Sequence, residues 1–514
     1  KVLLPFSLSA GGSSTISPSL GAKSLDVMVQ AGIIAFILVA ILMIVRYRLP
    51  GTIAVISLMG QAAATLAVVS GYFTVFPGST LTLPGIAGII LGIGMGVDAN
   101  VITAERIKEE LSKNKTLEGA VNSGFKMGLT PIIDGNVTIV IVAAILMGAF
   151  GPTDGFWAKV FNPIFYWFGP STAGTIYSFG FTLLTSVLLN FVFGVWATRV
   201  MIRGAVHFKP LRKAWLFGGK KEGGADFKTP SINFIGNRKK FYTFSCALIA
   251  VVLVFCGIFG VKMDVEFKGG SMITLAYEGD ADLNDLKSTI GTELGKSNLT
   301  LQTGSDISGN QTLTVTLPGS DTLTTEQLDN LLTALNEQYP DNKFVQNEVS
   351  NVDATIGKEF LVKSVVALVA ACVLILLYVA YRFRKIGGLK AGSTAIVALL
   401  HDMFVVFGVF VLLRIPLNGN FIAALLTILG YSINDTVVIY DRIRENSALY
   451  GKKQMSLAEL VNLSVNQSFA RSLMTSITTC LALGVVCVVS VIYRLDSIYS
   501  FAFPLLFGMV SGVY

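Results

Sequence analysis

The chain has 514 residues, of which 53% are hydrophobic and only 14% are charged, and its mean hydropathy is +0.67. These values are typical of a membrane protein and exclude an array of soluble domains. The formal net charge is +7, but the basic residues cluster between apolar runs, where they orient a chain in a membrane. We therefore expect the lipid bilayer, and no nucleic acid, as a partner.

Eleven apolar runs are long enough to cross about 30 Å of hydrocarbon. They cover residues 26–45, 52–73, 84–104, 130–150, 176–200, 242–260, 361–381, 390–413, 420–440, 471–493 and 498–514. Alternate connections carry the lysines and arginines and are cytoplasmic by the positive-inside rule, whereas the short connections between them are almost uncharged and face outside. The sequence predicts a polytopic α-helical membrane protein.

One external connection, residues 261–359, is too long and too polar to span a membrane. Its order of strand, helix, strand, strand, helix and strand predicts a ferredoxin-like α+β domain, with a four-stranded antiparallel sheet and two helices on one face. Residues 205–241 form a Gly-rich and Lys-rich cytoplasmic linker. The remaining boundaries are a tail of a first external domain at 1–25, a first transmembrane half with five spans at 26–204, the first span of the second half at 242–260, and its other five spans at 360–514.

The two halves repeat each other in sequence with a shift of 336 residues. The matched pairs include Arg46 and Arg382, Gly51 and Gly387, Gly94 and Gly430, Arg106 and Arg442, and Glu109 and Glu445. Both copies enter the membrane from outside, so the bundle is predicted to be a parallel repeat about an axis along the membrane normal. Because a helix and an external domain precede the second copy only, we expect a first helix and most of a first external domain to be missing from this chain, and the last span to be clipped.

Two carboxylates stand deep inside equivalent spans. Asp98 lies about 14 residues into the third span, and Asp435 lies at almost the same depth of the repeated span. An ionised carboxylate there costs at least roughly 2.5 to 3.5 kcal/mol unless it is paired or hydrated. The register aligns Asp98 with Asn434 and Ala99 with Asp435, so the two acids are expected to meet near the pseudo-two-fold axis.

Three amide and hydroxyl residues, Asn100, Asn434 and Thr436, are predicted to stand beside the two acids. Burial favours the neutral form of a carboxyl group, so the acids are predicted to exchange protons near neutral pH. The alternative is that both acids are hydrated residues close to the cytoplasmic helix ends.

Arg471 begins an apolar run, and Lys126 occupies the corresponding place in the first half. A cation one or two turns inside the membrane could pair with ionised Asp435 and release it on protonation, whereas an arginine that snorkels to the interface is the alternative. Asp134 is a further candidate for the proton path, although it could instead cap a helix.

Other charged pairs are assigned to structure first. Glu105–Arg106 and Asp441–Arg442 stand at cytoplasmic helix ends and are interpreted as a solvated ion-pair face. The pair His401 and Asp402 lies within a span, where an interhelical hydrogen bond competes with a role in proton exchange.

The sequence has no nucleophile elbow, phosphate loop or metal-binding cluster, and its five cysteines all fall inside apolar runs. The glycines of GIGMGVD lie inside a span, where they serve helix packing. We therefore predict no cofactor, no metal and no enzymatic activity, and we expect the energy source to be an ion gradient or a partner ATPase.

Several segments resemble the SecDF family of protein-export membrane proteins, in the resistance-nodulation-division superfamily. They are GIGMGVDANVITAERIKEEL, DVEFKGGSMITL, GYSINDTVVIYDRIREN and NQSFARSLMTSITT. The resemblance implies a twelve-helix bundle in the bacterial cell membrane that associates with the SecYEG channel and the SecA motor ATPase. It also implies that the proton motive force acts on a translocating, unfolded preprotein late in translocation, with Asp98, Asp435 and Arg471 in the proton path.

Two other functions stay open. A proton-driven exporter of small molecules or lipids would also have parallel repeats and transmembrane acids, but such exporters have much larger external modules than residues 261–359. A scaffold that conducts no protons would tolerate the loss of both acids. The coupling ion also stays open, because a few acids could serve Na⁺ instead of H⁺.

Overall fold

The structure, a computed structural model, describes residues 12–73, 81–168, 174–219, 231–279, 281–296, 299–305, 311–318 and 323–514. In these residues eleven helices are long and apolar enough to cross a membrane, and each predicted run overlaps one of them. The predicted polytopic helix bundle is therefore confirmed. The middle of the predicted cytoplasmic linker and the start of the predicted N-terminal tail lie outside the described residues.

The helices of the first half follow one another in chain order. They are α1 (Pro18–Tyr47), α2 (Leu49–Val69), α3 (Leu83–Gly96), α4 (Asp98–Ser112), α5 (Leu117–Phe150), α6 (Phe156–Phe165), α7 (Gly174–Asn190) and α8 (Thr198–His207). The pair α3 and α4 forms one span, as does the pair α7 and α8. A π-helical segment, Phe191–Ala197, joins α7 to α8.

The second half contains the longest helices. They are α9 (Arg238–Phe259), α10 (Val265–Lys268), α11 (Leu283–Glu293), α12 (Thr325–Gln338), α13 (Ala354–Arg382), α14 (Gly388–Leu412), α15 (Gly419–Gln454), α16 (Leu457–Ile492) and α17 (Asp496–Val513). Polar residues set the starts of the long helices: Asn418 caps α15, and Ser456 with Glu459 forms a capping box on α16.

The contacts between the two halves come in equivalent pairs, as a parallel repeat requires. Helix α15 packs against α5 of the first half, and α3 packs against α16 of the second half. The span of α3 and α4 and the span of α15 are the two most buried of the eleven. The halves also meet at Phe179 of α7 and Phe501 of α17, whose ring centroids are 5.1 Å apart. The carboxylate helices therefore occupy the centre of the bundle.

Helices α1 and α13 keep the register of 336 residues. Their N-caps, Ser17 and Asp353, are 336 apart, and the buried positions of the two helices match at the same offset. The pairing of Arg46 with Arg382 lies within these helices and follows this register.

In the hairpins that follow, a Cβ atom on Gly51 would lie 2.0 Å from the Met43 carbonyl oxygen, and one on Gly388 would lie 2.0 Å from the Ala380 carbonyl oxygen. The glycine that makes this contact in the second half is thus Gly388, and not the Gly387 that the sequence pairs with Gly51.

The external domain has the predicted ferredoxin-like order of elements. Its strands are β2 (Gly270–Tyr277), β3 (Thr300–Ser305), β4 (Gln311–Pro318) and β5 (Val345–Val352), preceded along the chain by β1 (Gly12–Ile16). The sheet order is β1-β5-β2-β4-β3, and every pairing is antiparallel. Alternate residues of β2 and β4 pack against Leu286 of α11 and Leu331 of α12 in one apolar core, so both helices cover the same face.

The fifth strand, β1, differs from the sequence prediction. It comes from the N-terminal tail and pairs with β5 from Gly12 opposite Val352 to Ile16 opposite Glu348. The four-stranded sheet predicted within 261–359 is thus extended by a strand from residues that precede α1. One residue, Ser17, separates β1 from α1, so the sheet is joined directly to a membrane helix of each half.

Candidate functional site

The third span of the first half is interrupted at Asp98. Helix α3 ends at Gly96, Val97 follows, and α4 begins at Asp98. A Cβ atom on Gly96 would lie 2.8 Å from the side-chain oxygen of Gln61, so only glycine lets α2 approach the break this closely. The break places Asp98 at the N-terminal end of α4, where the helix dipole favours a carboxylate. Interrupted membrane helices build ion sites in many transporters.

Asp98 is bonded to its counterpart in the second half. Nδ2 of Asn434 donates to Oδ2 of Asp98 at 2.7 Å, and the two residues are 336 apart in the chain. A Cβ atom on Gly135 of α5 would lie 1.6 Å from Oδ1 of Asn434, so the backbone of α5 packs directly against the side chain that donates this bond. The register that pairs Asp98 with Asn434 thus brings the two side chains into contact.

Asp435 and Arg471 lie in the same central region, and both are buried. Oδ2 of Asp435 accepts a hydrogen bond from Ser476 at 3.4 Å. The positive charge of Arg471 acts on Asp98 and on Asp435, but no acid lies within salt-bridge distance of it in the described part of the chain. Its Nη2 atom is buried and has no hydrogen-bond partner there. The expected direct ion pair of Asp435 with Arg471 is therefore not formed in this conformation. The side chain of Arg471 is buried among the helices, which does not fit an arginine that snorkels to the interface.

The central cluster contains two acids and one fixed cation. Uncompensated charge in a low-dielectric interior costs several kcal/mol. The cluster is electrically neutral when one of the two carboxyl groups carries a proton and the other is ionised. The composition of the cluster thus favours one exchangeable proton. Nη2 of Arg471 has no hydrogen-bond partner among the described residues, so it could donate a hydrogen bond to either carboxylate.

Two other predicted residues do not contact the acids. Asn100 is buried, and neither its side-chain oxygen nor its nitrogen has a hydrogen-bond partner among the described residues. The hydroxyl of Thr436 donates to the Ser432 carbonyl of its own helix at 3.3 Å. Neither side chain therefore bonds Asp98 or Asp435.

Asp134 lies inside α5 and not at its start, so the helix-cap alternative is wrong. Its Oδ1 is 2.7 Å from Nε of Arg382, and the Tyr378 hydroxyl donates to it at 3.1 Å. Asp134 thus has a cation of its own, separate from the cluster around Arg471. Lys126, the expected counterpart of Arg471, is exposed.

A closed ring of alternating charges lies beside the central cluster, toward the C-terminal ends of α4 and α15. Arg106 contacts Glu109 at 3.0 Å and Glu445 at 2.9 Å. Arg442 contacts Glu109 at 2.8 Å and Glu445 at 2.9 Å. The four residues form two pairs that are equivalent in the repeat, so the ring has the symmetry of the bundle. Below we call Arg106, Glu109, Arg442 and Glu445 the ion ring.

The ion ring corrects the interpretation of the cytoplasmic helix ends. The pairs Glu105–Arg106 and Asp441–Arg442 were expected to form a solvated face, but all four residues are buried. Arg46 bonds Glu105 at 3.2 Å, and Arg444 bonds Asp441. A cavity of about 30 Å³ between the ion ring and Arg471 has room for about one water molecule.

A contact outside the membrane joins the external domain to the helix that carries Asp435. Oε2 of Glu266 in α10 accepts a hydrogen bond from the N–H of Gly419, the first residue of α15, at 2.6 Å. Burial, reinforced by the negative charge of Asp264, raises the pKa of Glu266 to about 7. Burial also raises the pKa of Glu348 in β5. The domain base therefore holds a carboxyl group that titrates in the physiological range.

Sequence reasoning missed the ion ring, the Asp134–Arg382 pair and the Glu266 contact. The signal for the ion ring was the repeated spacing of Arg106 to Glu109 and Arg442 to Glu445, because paired charges at equivalent positions of central helices meet on the axis. No local pattern marks Glu266, since its partner is a backbone N–H more than 150 residues away.

The chain is similar to known proteins along nearly its whole length. The family described as "Protein export membrane protein SecD/SecF, C-terminal" matches residues 5–158 and 332–514, one range in each half. The chain is 31% identical to protein translocase subunit SecDF of Bacillus subtilis, with 99% of this chain and 65% of that protein covered. It is 32% identical to protein translocase subunit SecF of Calditerrivibrio nitroreducens, with 55% of this chain and 90% of that protein covered.

A solved structure gives the same result for the fold. The crystal structure of SecDF from Thermus thermophilus, described as a translocon-associated membrane protein, has a TM-score of 0.78 and 29% identity, and covers 98% of this chain and 62% of that chain. The chain thus spans about two thirds of the length of the SecDF proteins that it matches. This chain belongs to the SecD/SecF family of protein export membrane proteins.

Proposed function

We propose that the chain is an accessory subunit of the Sec translocon in the bacterial cell membrane, and that it uses the proton motive force to promote late steps of preprotein translocation. In this proposal it works beside the SecYEG channel and the SecA motor, binds the emerging unfolded preprotein, and catalyses no hydrolysis itself. Similarity to SecDF and SecF proteins supports the pathway. The observation that carries the proton role is the cluster of half-buried Asp98, buried Asp435 and buried Arg471, in which Arg471 has no ion pair among the described residues.

The geometry supports a specific proton step. In the described conformation Asp98 is held by Asn434, while Asp435 has only a long hydrogen bond from Ser476. Binding of a proton to one acid leaves the other as the sole counter-ion of Arg471. Transfer of the proton between the acids would therefore redirect the guanidinium and change the packing of α16 against α4 and α15.

Vesicles that contain SecYEG, SecA and this chain test the proposal. Asp98→Asn and Asp435→Asn should each abolish the stimulation of export by a proton gradient, while SecA-driven export without a gradient stays intact. Asp282→Asn, in the external domain, is the matched control. If both membrane variants inserted normally and kept full gradient dependence, the proton role would be excluded. If the chain carried currents in a Na⁺-only bath, the coupling ion would be Na⁺ instead of H⁺.

A further inference from the structure

A further buried carboxylate lies in the second half, apart from Arg471. Asp402 of α14 is only 4% exposed. Its Oδ2 accepts a hydrogen bond from Ser432 of α15 at 2.6 Å, and its Oδ1 accepts one from Ser511 of α17 at 2.5 Å. Asp402 thus lies where three membrane helices meet, about halfway along α14.

His401 is the one counter-charge available to Asp402 within the described residues. Its Nδ1 lies 3.2 Å from Oδ1 of Asp402, and no lysine or arginine in that part of the chain lies within salt-bridge distance. An imidazole balances a carboxylate only when it is protonated. The pair is therefore neutral only when it holds one proton, either as a carboxylic acid beside neutral imidazole or as a carboxylate beside imidazolium.

The surroundings of the pair leave room for exchange. Nε2 of His401 is buried and has no hydrogen-bond partner in the described chain. The titratable groups nearest to the pair are the phenol of Tyr514, whose ring centroid lies 6.3 Å from that of His401, and Asp435, which follows Ser432 by one turn of α15. The hydroxyls of Ser432 and Ser511 carry no charge. None of these groups can neutralise an ionised Asp402.

The fold of the repeat does not require this pair. In the register that pairs Asp98 with Asn434, Gly96 is equivalent to Ser432, and the polar α2 side chain that lies against Gly96 is that of Gln61. Gln61 is buried as well, but it is uncharged, and its Nε2 donates to the Ser186 carbonyl at 3.1 Å. The first half therefore packs the same junction without a charge, so the presence of His401 and Asp402 calls for a reason other than packing.

We propose that His401 and Asp402 form a second proton-binding site in the membrane, distinct from the cluster around Arg471. Uptake of one proton converts ionised Asp402 beside neutral His401 into a carboxylic acid beside a neutral imidazole, and its release restores the charge. Because Ser432 bonds Asp402 one turn before Asp435, the proton occupancies of both sites act on α15. The site rests on the proposed function for its purpose, but its protonation can be measured without export.

Infrared difference spectroscopy of the whole chain in lipid nanodiscs, with ¹³C-labelled aspartate and titrated from pH 5 to 9, tests the site. In the wild type, the carboxylic acid band should disappear as pH rises. Compared with that band, the band of Asp402→Asn should lack one component, and the band of Asp435→Asn should lack a different one. His401→Gln should alter the Asp402 component, since it removes the one counter-charge that the described residues place beside Asp402. Thr65→Val, at a buried and uncharged position of α2, should leave the spectrum unchanged.

Three outcomes would overturn the site. The first is an Asp402→Asn spectrum equal to that of the wild type, which would leave Asp402 as a permanent structural bond. The second outcome, which decides the question if Asp402→Asn does not fold, is a carboxylic acid band that is unchanged in His401→Gln. The third is a band that responds to Na⁺ at constant pH. If gradient-driven export ignores Asp98 and Asp435 while the Asp402 component persists, the proposed function fails and the second site stands.

Discussion

At the scale of single residues, Gly135 sets the position of the Asp98–Asn434 bond, because a Cβ atom there would overlap Oδ1 of Asn434. We expect Gly135→Ala to displace Asn434 and to abolish gradient-stimulated export, at a cost of about 1–3 kcal/mol in stability from overpacking. The matched control is Gly484→Ala on α16, where a Cβ atom meets nothing within 4 Å. Export assays and thermal unfolding in detergent measure both variants, and equal behaviour of the two would contradict the close approach of α5.

Glu266 predicts a pH dependence at the base of the external domain. Burial and the negative charge of Asp264 raise its pKa from the ordinary 4.5 to about 7 in the folded protein, against the opposing effect of the Gly419 hydrogen bond, so the folded environment favours the protonated form. Its stabilising contribution is therefore complete below pH 4.5 and is lost as pH rises through about 7. A shift of this size corresponds to at most about 3 kcal/mol.

Hydrogen exchange at residues 417–422 measures this effect, since the Gly419 amide is the donor to Glu266. Protection, corrected for intrinsic exchange rates, should fall between pH 5 and pH 8 in the wild type. Glu266→Gln keeps an acceptor for Gly419 and removes the charge, so its protection should not change with pH. The exposed Glu278→Gln is the control and should behave as the wild type; a pH-dependent Glu266→Gln would assign the effect to Asp264 or Glu348.

At the scale of elements, the ion ring ties the cytoplasmic halves of α4 and α15 together. Arg442→Gln leaves Glu445 with Arg106 and leaves Glu109 with Arg106 and the half-exposed Lys113, and removal of one partner from a buried network typically costs about 3–5 kcal/mol. We expect a clear loss of thermal stability. The double variant Arg442→Gln with Glu445→Gln restores one cation for one acid and should recover part of the loss.

An exposed ion pair gives the control for the ion ring. Lys343 and Glu278 are 2.9 Å apart on the surface of the external domain, where water screens the attraction between the two charges. Lys343→Gln should therefore change stability little. If Arg442→Gln changed thermal stability as little as Lys343→Gln, the ion ring would be hydrated in the membrane, and the interpretation of these helix ends as a solvated ion-pair face would be correct.

The sequence was sufficient for elements whose signal is local or repeated. Long apolar runs predicted the spans, and a register of 336 brought Asp98 to Asn434. The burial of Arg106 and Arg442 was not predictable locally, because a charged helix end has the same pattern whether it faces water or another charged helix. The strand β1, with the sequence GSSTI, has no apolar alternation, so only its pairing with β5 defines it.

At the scale of the whole molecule, the external sheet bridges the two halves. β1 leads into α1 through Ser17 alone, and β5 leads into α13 through Asp353 alone. Helices α1 and α13 are equivalent in the repeat, and their external ends are connected to neighbouring strands of one sheet. With so short a connection on each side, the sheet cannot shift against either helix without unwinding it.

This arrangement predicts that the external ends of α1 and α13 keep a constant separation while the cytoplasmic side rearranges. Ser14 lies directly opposite Ser350 in the β1–β5 ladder, and opposite residues of antiparallel strands are about 4.5–5.5 Å apart at Cα, which suits a disulfide. In a background without the five native cysteines, Ser14→Cys with Ser350→Cys should cross-link on oxidation and keep its gradient-stimulated export. Each single cysteine variant controls for the substitution and for the oxidant. Loss of stimulation on oxidation, restored by a reductant, would mean that β1 must leave β5 during the cycle, and the rigid bridge would then be wrong.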